Sequence, residues 1–379
     1  MNVYYLLGWH GNLNAGDDAF AIVTAWGLRK YAQANSIIME ADSSKLLYKK
    51  HNIKLIQHPQ FRIPGLSRLR RKYYSSIAKS FIYAGGTLFT ANQVDLILKQ
   101  KITKDTKTPR LALGVSAGPF VSSQHEKKTL EVFKSMNYVS FRDDFSYQWA
   151  KASDLDISYT QAFDMAILLP RILLECKEKK ETQNLDKPPT IGISLLGFNI
   201  LKNKNNWKQD LKWIRNFAET THEVALGKNF KIILYSFCRH PWYNDDLACE
   251  AFLDAILSNN INKNNCEIEL FKHNGDATRI LSDMKRCSHI ISMRLHGCIF
   301  AYTNQTPLLM LNYHAKCRDF GKTVGLDEQF CLDLSPFDIK SYKNTLNNFL
   351  ETKSIATTLP YKRALEKAML NFEGYDNWI

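Results

Sequence analysis

Arg294-Leu295-His296-Gly297 lies between two apolar runs, His289-Ile290-Ile291-Ser292 before it and Pro307-Leu308-Leu309-Met310-Leu311 after it. The intervening Ile299-Phe300-Ala301-Tyr302 reads as helix, so the order is strand, turn bearing Arg and His, helix, strand. In an open α/β sheet, ligands bind outside the carboxyl ends of the strands. A helix that starts there presents N–H groups and the positive end of its dipole to an anion. Arg adds a planar fork matched to carboxylate or phosphate, and His can hold or give a proton near neutral pH. These residue types at this spacing point to a site for a small anion that is also protonated. A surface Arg beside a histidine satisfied in the core is the plain alternative.

A second polar turn occurs near the N-terminus. Val3-Tyr4-Tyr5-Leu6-Leu7 is an uncharged strand-like run, followed by Asn12-Leu13-Asn14-Ala15-Gly16-Asp17-Asp18 and an apolar helical stretch from Ala19 to Tyr31. The helix is expected to begin near Asp17, where the dipole favours an acid. Helix capping by Asp17 with a turn at Gly16 also explains the segment without any chemistry.

The elements that would carry these turns alternate along the chain. The clearest strands before position 165 are Val3–Leu7, Ser80–Ala84, Leu111–Val115 and Tyr138–Phe141. A Lys/Glu-rich stretch, Glu175 to Pro189, closes this series with a proline pair and reads as a linker. A second series follows at Thr190–Ser194, Lys231–Tyr235, Glu267–Phe271, His289–Ser292 and Leu308–Leu311, with helical periodicity at Trp207–Ala225 and Asp245–Leu257. Two polar helices, near Ile339–Phe349 and Pro360–Phe372, end the chain. The expected organisation is an N-terminal α/β domain over 1–175, a linker over 176–189, a second α/β domain over 190–335 and closing helices over 336–379. Two Rossmann-like βαβ domains facing a cleft form the glycosyltransferase-B-like arrangement.

Composition narrows the function classes. A chain of 379 residues is long for one core and suits two α/β domains. Its 45% hydrophobic and 23% charged content is that of a soluble globular protein. No apolar stretch approaches the ~20 residues of a membrane span, and no basic segment precedes the first apolar run, so a cytoplasmic location is expected. All 8 cysteines fall between Cys176 and Cys331 without a Cys-x-x-Cys pair, and the histidines lack metal spacing. Reduced structural thiols and no metal or cofactor are therefore expected. The net charge of +13 fits nucleic acid, an anionic membrane or anionic small substrates. No nucleic-acid motif is visible. The densest basic cluster, Arg68, Arg70, Arg71 and Lys72 among leucines and tyrosines, suits peripheral contact with an anionic bilayer, or else a solvated basic loop. Asn- and Lys-rich segments at 203–206 and 259–265 read as exposed loops.

Taken together, the motifs resemble those of the polysaccharide pyruvyl transferases. Asn14-Ala15-Gly16-Asp17 is similar to that family's Asn-x-Gly-Asp signature, and Ala84-Gly85-Gly86-Thr87-Leu88-Phe89 to its glycine-rich turn. Gly114-Val115-Ser116-Ala117-Gly118-Pro119, Arg142-Asp143-Asp144-Phe145-Ser146 and the Asp of Ala162-Phe163-Asp164-Met165-Ala166 continue the series. Ser292-Met293-Arg294-Leu295-His296-Gly297 ends it, with Pro307, Tyr313 and Lys316 downstream. Each motif is short; their order and spacing over roughly residues 2 to 325 carry the resemblance. One departure stands out. Similar proteins often place an Arg just after the first strand of the second domain, but Ser194 is followed here by Leu195, Leu196 and Gly197. Arg239 or His240, after the next strand, is a possible substitute; an altered donor site or an inactive protein is the alternative.

The resemblance implies ketal formation from phosphoenolpyruvate on two hydroxyls of one sugar in a cell-surface polysaccharide or its lipid-linked precursor. The methylene carbon takes a proton, hydroxyl oxygens add at C2, and phosphate departs. Such a site needs cations, an acid and a base. On this reading His296 is the acid, and Asp17 is the base or orients the acceptor. Arg294, Leu295, His296, Gly297, Arg239 and Lys316 hold the donor, while Asn14, Gly16, Gly85, Gly86 and Arg142 line the acceptor side. The rivals are a nucleotide-sugar glycosyltransferase on the same fold and a catalytically inactive carbohydrate-binding homologue. The former would need an acidic residue for the donor ribose; Glu267 and Glu269 lie near a strand, but on the wrong side of it to be assigned that role.

Overall fold

Parallel strands buried on both faces require continuous apolar runs rather than alternation, and this pattern governs both halves of the chain. The computed structural model describes residues 2–41, 50–57, 66–99, 108–175, 188–197, 207–241, 243–258, 267–334 and 337–373. The expected linker, apart from Pro188 and Pro189, and the expected loops at 203–206 and 259–265 lie outside these residues.

The described chain forms two compact units. The first comprises Met1–Asn12, Gly16–Cys176 and Lys362–Ile379; the second comprises Leu13–Ala15 and Lys177–Tyr361. The expected closing segment 336–379 is thus divided. Its first helix packs Tyr342, Leu346 and Phe349 into the core of the second unit. The chain from Lys362 onward counts with the first unit.

The first unit contains β1 (Val3–Leu7), α1 (Ala15–Ala32), β2 (Ser36–Ala41), β3 (Ile53–Gln57), α2 (Leu66–Ile77), β4 (Ser80–Gly86), α3 (Ala91–Lys99), β5 (Arg110–Val115), α4 (Ser123–Lys134), β6 (Tyr138–Phe141), α5 (Asp144–Ala152), β7 (Ser158–Gln161) and α6 (Leu169–Glu175). Its seven strands run in the order β3-β2-β1-β4-β5-β6-β7. The second unit contains β8 (Thr190–Ser194), α7 (Trp207–Gly227), β9 (Lys231–Ser236), α8 (Asp246–Ser258), β10 (Ile268–Lys272), α9 (Ala277–Asp283), β11 (His289–Ser292), α10 (Leu295–Asn304), β12 (Leu308–Asn312), α11 (Ala315–Val324), β13 (Cys331–Asp333) and α12 (Ile339–Phe349). Its sheet runs β10-β9-β8-β11-β12-β13. The last helix is α13 (Tyr361–Met369).

Every pairing described between named strands is parallel. In both sheets the strand order reverses beside the first strand, between β1 and β4 and between β8 and β11. Such a reversal leaves a crevice at the carboxyl ends of the two strands, where ligands of doubly wound sheets bind. No helix among the described residues is long and apolar enough to cross a membrane.

The returning C-terminal segment is anchored by Asn371, whose side-chain amide donates to the Phe163 carbonyl at 3.0 Å while its oxygen accepts from Ser140 at 2.7 Å. Phe372 stacks on Tyr31 and meets Trp26 edge-on. These contacts fill a face of α1 that amphipathic periodicity alone does not assign to any partner.

Candidate functional site

In the first unit the carboxyl edge is built from α1 and the ends of β4 to β7. Helix α1 starts at Ala15, slightly earlier than expected, which puts Asp17 and Asp18 in its first turn. Asp18 is buried and accepts the Gly11 N–H at 2.9 Å, while His10 Nδ1 lies 2.9 Å from the Asp17 carbonyl. Gly85 and Gly86 end β4 with left-handed φ values of 66° and 78°. A Cβ on Gly85 would stand 2.1 Å from the Phe20 ring, and one on Gly86 would stand 3.4 Å from Asp17 Oδ1. Both glycines are required by conformation, and Gly85 also by contact. They let the β4 backbone approach the first turn of α1 and place the Asp17 carboxylate over Gly86.

Arg142, just past β6, is buried at 8% exposure. Its Nε donates to Ser116 Oγ at 2.9 Å, Nη1 to Asp164 Oδ2 at 2.8 Å and Nη2 to Thr87 Oγ1 at 3.4 Å. Thr87, Ser116, Arg142 and Asp164 follow β4, β5, β6 and β7. One guanidinium thus ties together the ends of four neighbouring strands. A sequence reading can note Arg142 and Asp164 separately, but the spacing of 22 residues gives no sign that they pair.

His10, which the sequence reading did not single out, is buried beside the first turn of α1. Burial holds its imidazole below the ordinary value of 6.5, against the opposing pull of the Asp17 carbonyl and the Asp18 carboxylate. An unfolded chain gains this proton near pH 6.5 and the folded one does not. The associated stability is therefore complete above 6.5 and falls as pH drops below it, by up to about 1.4 kcal/mol per pH unit. Between pH 7 and 5.5 the Tm of the wild type should fall more steeply than that of His10→Gln; parallel curves would contradict this.

In the second unit Ser194, Ser236, Ser292 and Asn312 are the last residues of β8, β9, β11 and β12, a polar row above apolar strands. Helix α10 begins over the strand reversal with Arg294 at its N-cap. A Cβ on Gly297 would stand 2.2 Å from Ser292 Oγ and 3.4 Å from Ser194 Cβ. Only glycine lets the first turn of α10 settle this closely on the ends of β11 and β8. Ser292 Oγ donates to the Arg294 carbonyl at 2.9 Å and fixes the turn. The first N–H groups of a helix have no carbonyl within it to donate to, and here they cap a sheet crevice. Ser194 is buried, and its hydroxyl has no hydrogen-bond partner among the described residues.

The two arginines of this edge are held by adjacent carboxylates. Arg294 Nε lies 2.9 Å and 3.1 Å from the two oxygens of Asp245, and Nη2 donates to the same carboxylate and to the Tyr243 carbonyl. Asp245, only 1% exposed, also accepts the Cys238 N–H at 2.9 Å. Burial pushes the Asp245 carboxyl up against the opposing pull of Arg294. Burial acts to lower the Arg294 pKa, but Asp245 outweighs it and the net direction is upward, so the guanidinium stays charged. Arg239 Nε pairs with Asp246 at 3.0 Å, and its Nη1 donates to the His273 carbonyl at 3.4 Å. Lys272 lies 3.5 Å from Asp246.

The remaining candidates fall as follows. Leu295, His296 and Gly297 share the first turn of α10, with His296 half-buried. Lys316 lies in the first turn of α11, its N–H donating to His314 Nδ1 at 3.3 Å. Asn14 forms a β-bridge with Cys238 within the second unit, flanked by an Arg239 N–H to Leu13 carbonyl bond at 2.9 Å. Gly16 and Asp17 lie in the first turn of α1. Asp164, Asp245 and Asp246 are the acidic partners that spacing did not reveal. Glu267 precedes β10 at its amino end and pairs with Lys231; Glu269 pairs with Arg286. Neither carboxylate is at the carboxyl edge where a nucleotide ribose would need it.

A family model described as polysaccharide pyruvyl transferase matches residues 14–315. No curated protein matches the sequence. Among solved structures, the chain is similar to UDP-GlcNAc 2-epimerase from Methanocaldococcus jannaschii, at 12% identity and TM-score 0.63, over 99% of this chain and 100% of that one. It is also similar to S. aureus MnaA in its UDP co-structure, at 10% identity and TM-score 0.62, over 100% and 98%. A third is Anabaena Alr3699/HepE in complex with UDP and glucose, at 11% identity and TM-score 0.59, over 100% and 98%. At these identities the likeness is one of fold, and the fold is glycosyltransferase-B-like.

Proposed function

Because the chain belongs to the polysaccharide pyruvyl transferase family, we propose that it joins C2 of phosphoenolpyruvate to two hydroxyls of one sugar, forming a pyruvate ketal and releasing phosphate. The observation that carries this reading is the first turn of α10, seated over the β8/β11 reversal with Arg294 oriented by Asp245. The donor's anionic groups meet the N–H groups of Leu295 to Gly297 and the Nη1 edge of Arg294. Ser194 Oγ adds a neutral hydrogen bond at the strand end where similar proteins often carry an Arg, and Arg239 and Lys316 add charge. Asp245 and Asp246 offset the charges of Arg294 and Arg239. The helix end therefore supplies electrostatic pull on the donor, and the paired arginines contribute geometry.

The proton balance assigns the other roles. His296 gives one proton to the methylene carbon, leaving an electron-poor C2. One sugar hydroxyl adds there and loses its proton to a carboxylate base. Phosphate leaves with the C–O bond electrons, and the second hydroxyl adds and passes its proton to that phosphate, which departs as hydrogen phosphate. The acceptor lies along Gly16, Gly85 and Gly86, and Arg142 supports this edge through Ser116, Thr87 and Asp164.

Ligand-dependent melting tests the reading. Phosphoenolpyruvate at about 100 times its Kd should stabilise the protein by roughly 2.7 kcal/mol, while UDP and UDP-sugars leave Tm unchanged. Arg294→Lys keeps the charge and loses the fork. It should slow phosphate release by about 2–4 kcal/mol in barrier, the scale of one preorganised donor group. A shift with UDP and none with phosphoenolpyruvate would instead identify a nucleotide-sugar glycosyltransferase. Sugar binding without phosphate release would identify an inactive homologue.

A further inference from the structure

Helix α2 presents an apolar stripe away from its own core. Tyr74 faces inward, stacking on Tyr5 at 6.0 Å beside the Val3, Ile38 and Phe81 cluster. Leu69, Tyr73 and Ile77 recur at four-residue spacing, which aligns them along one side of the helix. They are 70%, 61% and 39% exposed. The helix sequence LSRLRRKYYSSI carries Arg68, Arg70, Arg71 and Lys72 and no carboxylate. Lys72 is exposed and, three residues after Leu69, neighbours it on the helix surface.

We infer that α2 docks the protein on an anionic lipid surface, with Leu69, Tyr73 and Ile77 entering the headgroup region and the basic residues meeting lipid phosphates. An exposed apolar stripe bordered by cations of one sign is the pattern of interfacial helices. Tyr favours the membrane–water boundary, and each nearby Lys or Arg adds attraction to anionic headgroups. Helix α2 leads directly into β4, from Ile77 to Ser80, and so runs antiparallel to the sheet. Its arginine-bearing first turn consequently lies at the carboxyl edge that carries Gly85 and Gly86. Docking would bring that edge to the bilayer, favouring a lipid-linked acceptor over a finished polymer. This last step rests on the pyruvyl-transfer reading, whereas lipid binding does not.

Vesicle co-sedimentation without phosphoenolpyruvate or sugar provides the test. The protein should sediment with phosphatidylcholine vesicles containing about a third phosphatidylglycerol and not with phosphatidylcholine alone, and high salt should release it. Leu69→Ser/Tyr73→Ser keeps every charge and should weaken binding roughly tenfold or more. Arg68→Gln/Lys72→Gln should weaken it roughly fivefold per cation removed. An unchanged Tm and an unchanged phosphoenolpyruvate-dependent shift would show that these variants retain their fold and donor site. Equal binding by Leu69→Ser/Tyr73→Ser and wild type would reduce the effect to general attraction by a basic protein and overturn the proposal. So would a dimer in sedimentation equilibrium that this variant dissolves, since the stripe would then be covered by a second copy. Failure of donor binding alone would leave the membrane result standing.

Discussion

His296→Asn should lower turnover by about 100- to 10,000-fold, the range for losing a positioned general acid, while donor affinity changes by only a few-fold. His296 lies in the first turn of α10, its ring edge-on to Phe300 at 6.4 Å. The helix backbone and that aromatic contact restrict where the imidazole can point. Asn can keep a hydrogen bond to the bound anion but has no proton to transfer at neutral pH. The loss should therefore fall on kcat, as for an interaction realised in the transition state. Steady-state phosphate release against phosphoenolpyruvate concentration, with ligand-dependent melting as an independent measure of affinity, separates the two terms. Abolished donor binding with normal turnover at saturation would make His296 a phosphate ligand. The proton would then have to come from another group.

How far the sequence reveals this site depends on which forces act locally. The strands β1, β6, β8 and β11 match their expected bounds because each is a compact run beside a turn. The α12 bounds also match, with Asp338 accepting from the Lys340 and Ser341 N–H groups at its start. Edge strands are harder to read. In β7, Ser-Tyr-Thr-Gln is largely polar and pairs on one side only, so tertiary pairing rather than hydrophobicity defines it. β13 has only three residues. The glycine turns and the Arg-Leu-His-Gly tetrad were legible because backbone conformation and close approach restrict residue type at those positions. Their carboxylate partners were not. Asp245 precedes Arg294 by 49 residues, and Asp164 follows Arg142 by 22, in segments that otherwise read as loop or junction. Such pairing depends on strand order across the sheet, which local periodicity does not encode. The destination of the last helix is hidden for the same reason, since an amphipathic face does not specify which core it covers.

The opposite experimental signature is expected at Arg142. Arg142→Ala should destabilise the protein by about 3–5 kcal/mol, the scale for breaking a buried ion pair by removing one partner. The Asp164 carboxylate, 4% exposed, would lose its 2.8 Å guanidinium partner and keep the Ala166 N–H at 3.0 Å. Thr87 and Ser116 would lose their links to the β6 end in the same step. Arg142→Lys retains a charge but not the three-way fork, so its loss should be intermediate. Arg142→Ala/Asp164→Ala should recover part of the deficit of Arg142→Ala, because no uncompensated charge remains buried. Urea unfolding of the four proteins measures the cycle, and acceptor KM provides the functional control. If Arg142→Ala retains wild-type stability but acceptor KM rises sharply, the guanidinium contacts substrate directly. A large stability loss with partial recovery in the double variant identifies Arg142 as the tie that holds the ends of β4, β5, β6 and β7 in place at the carboxyl edge of the sheet.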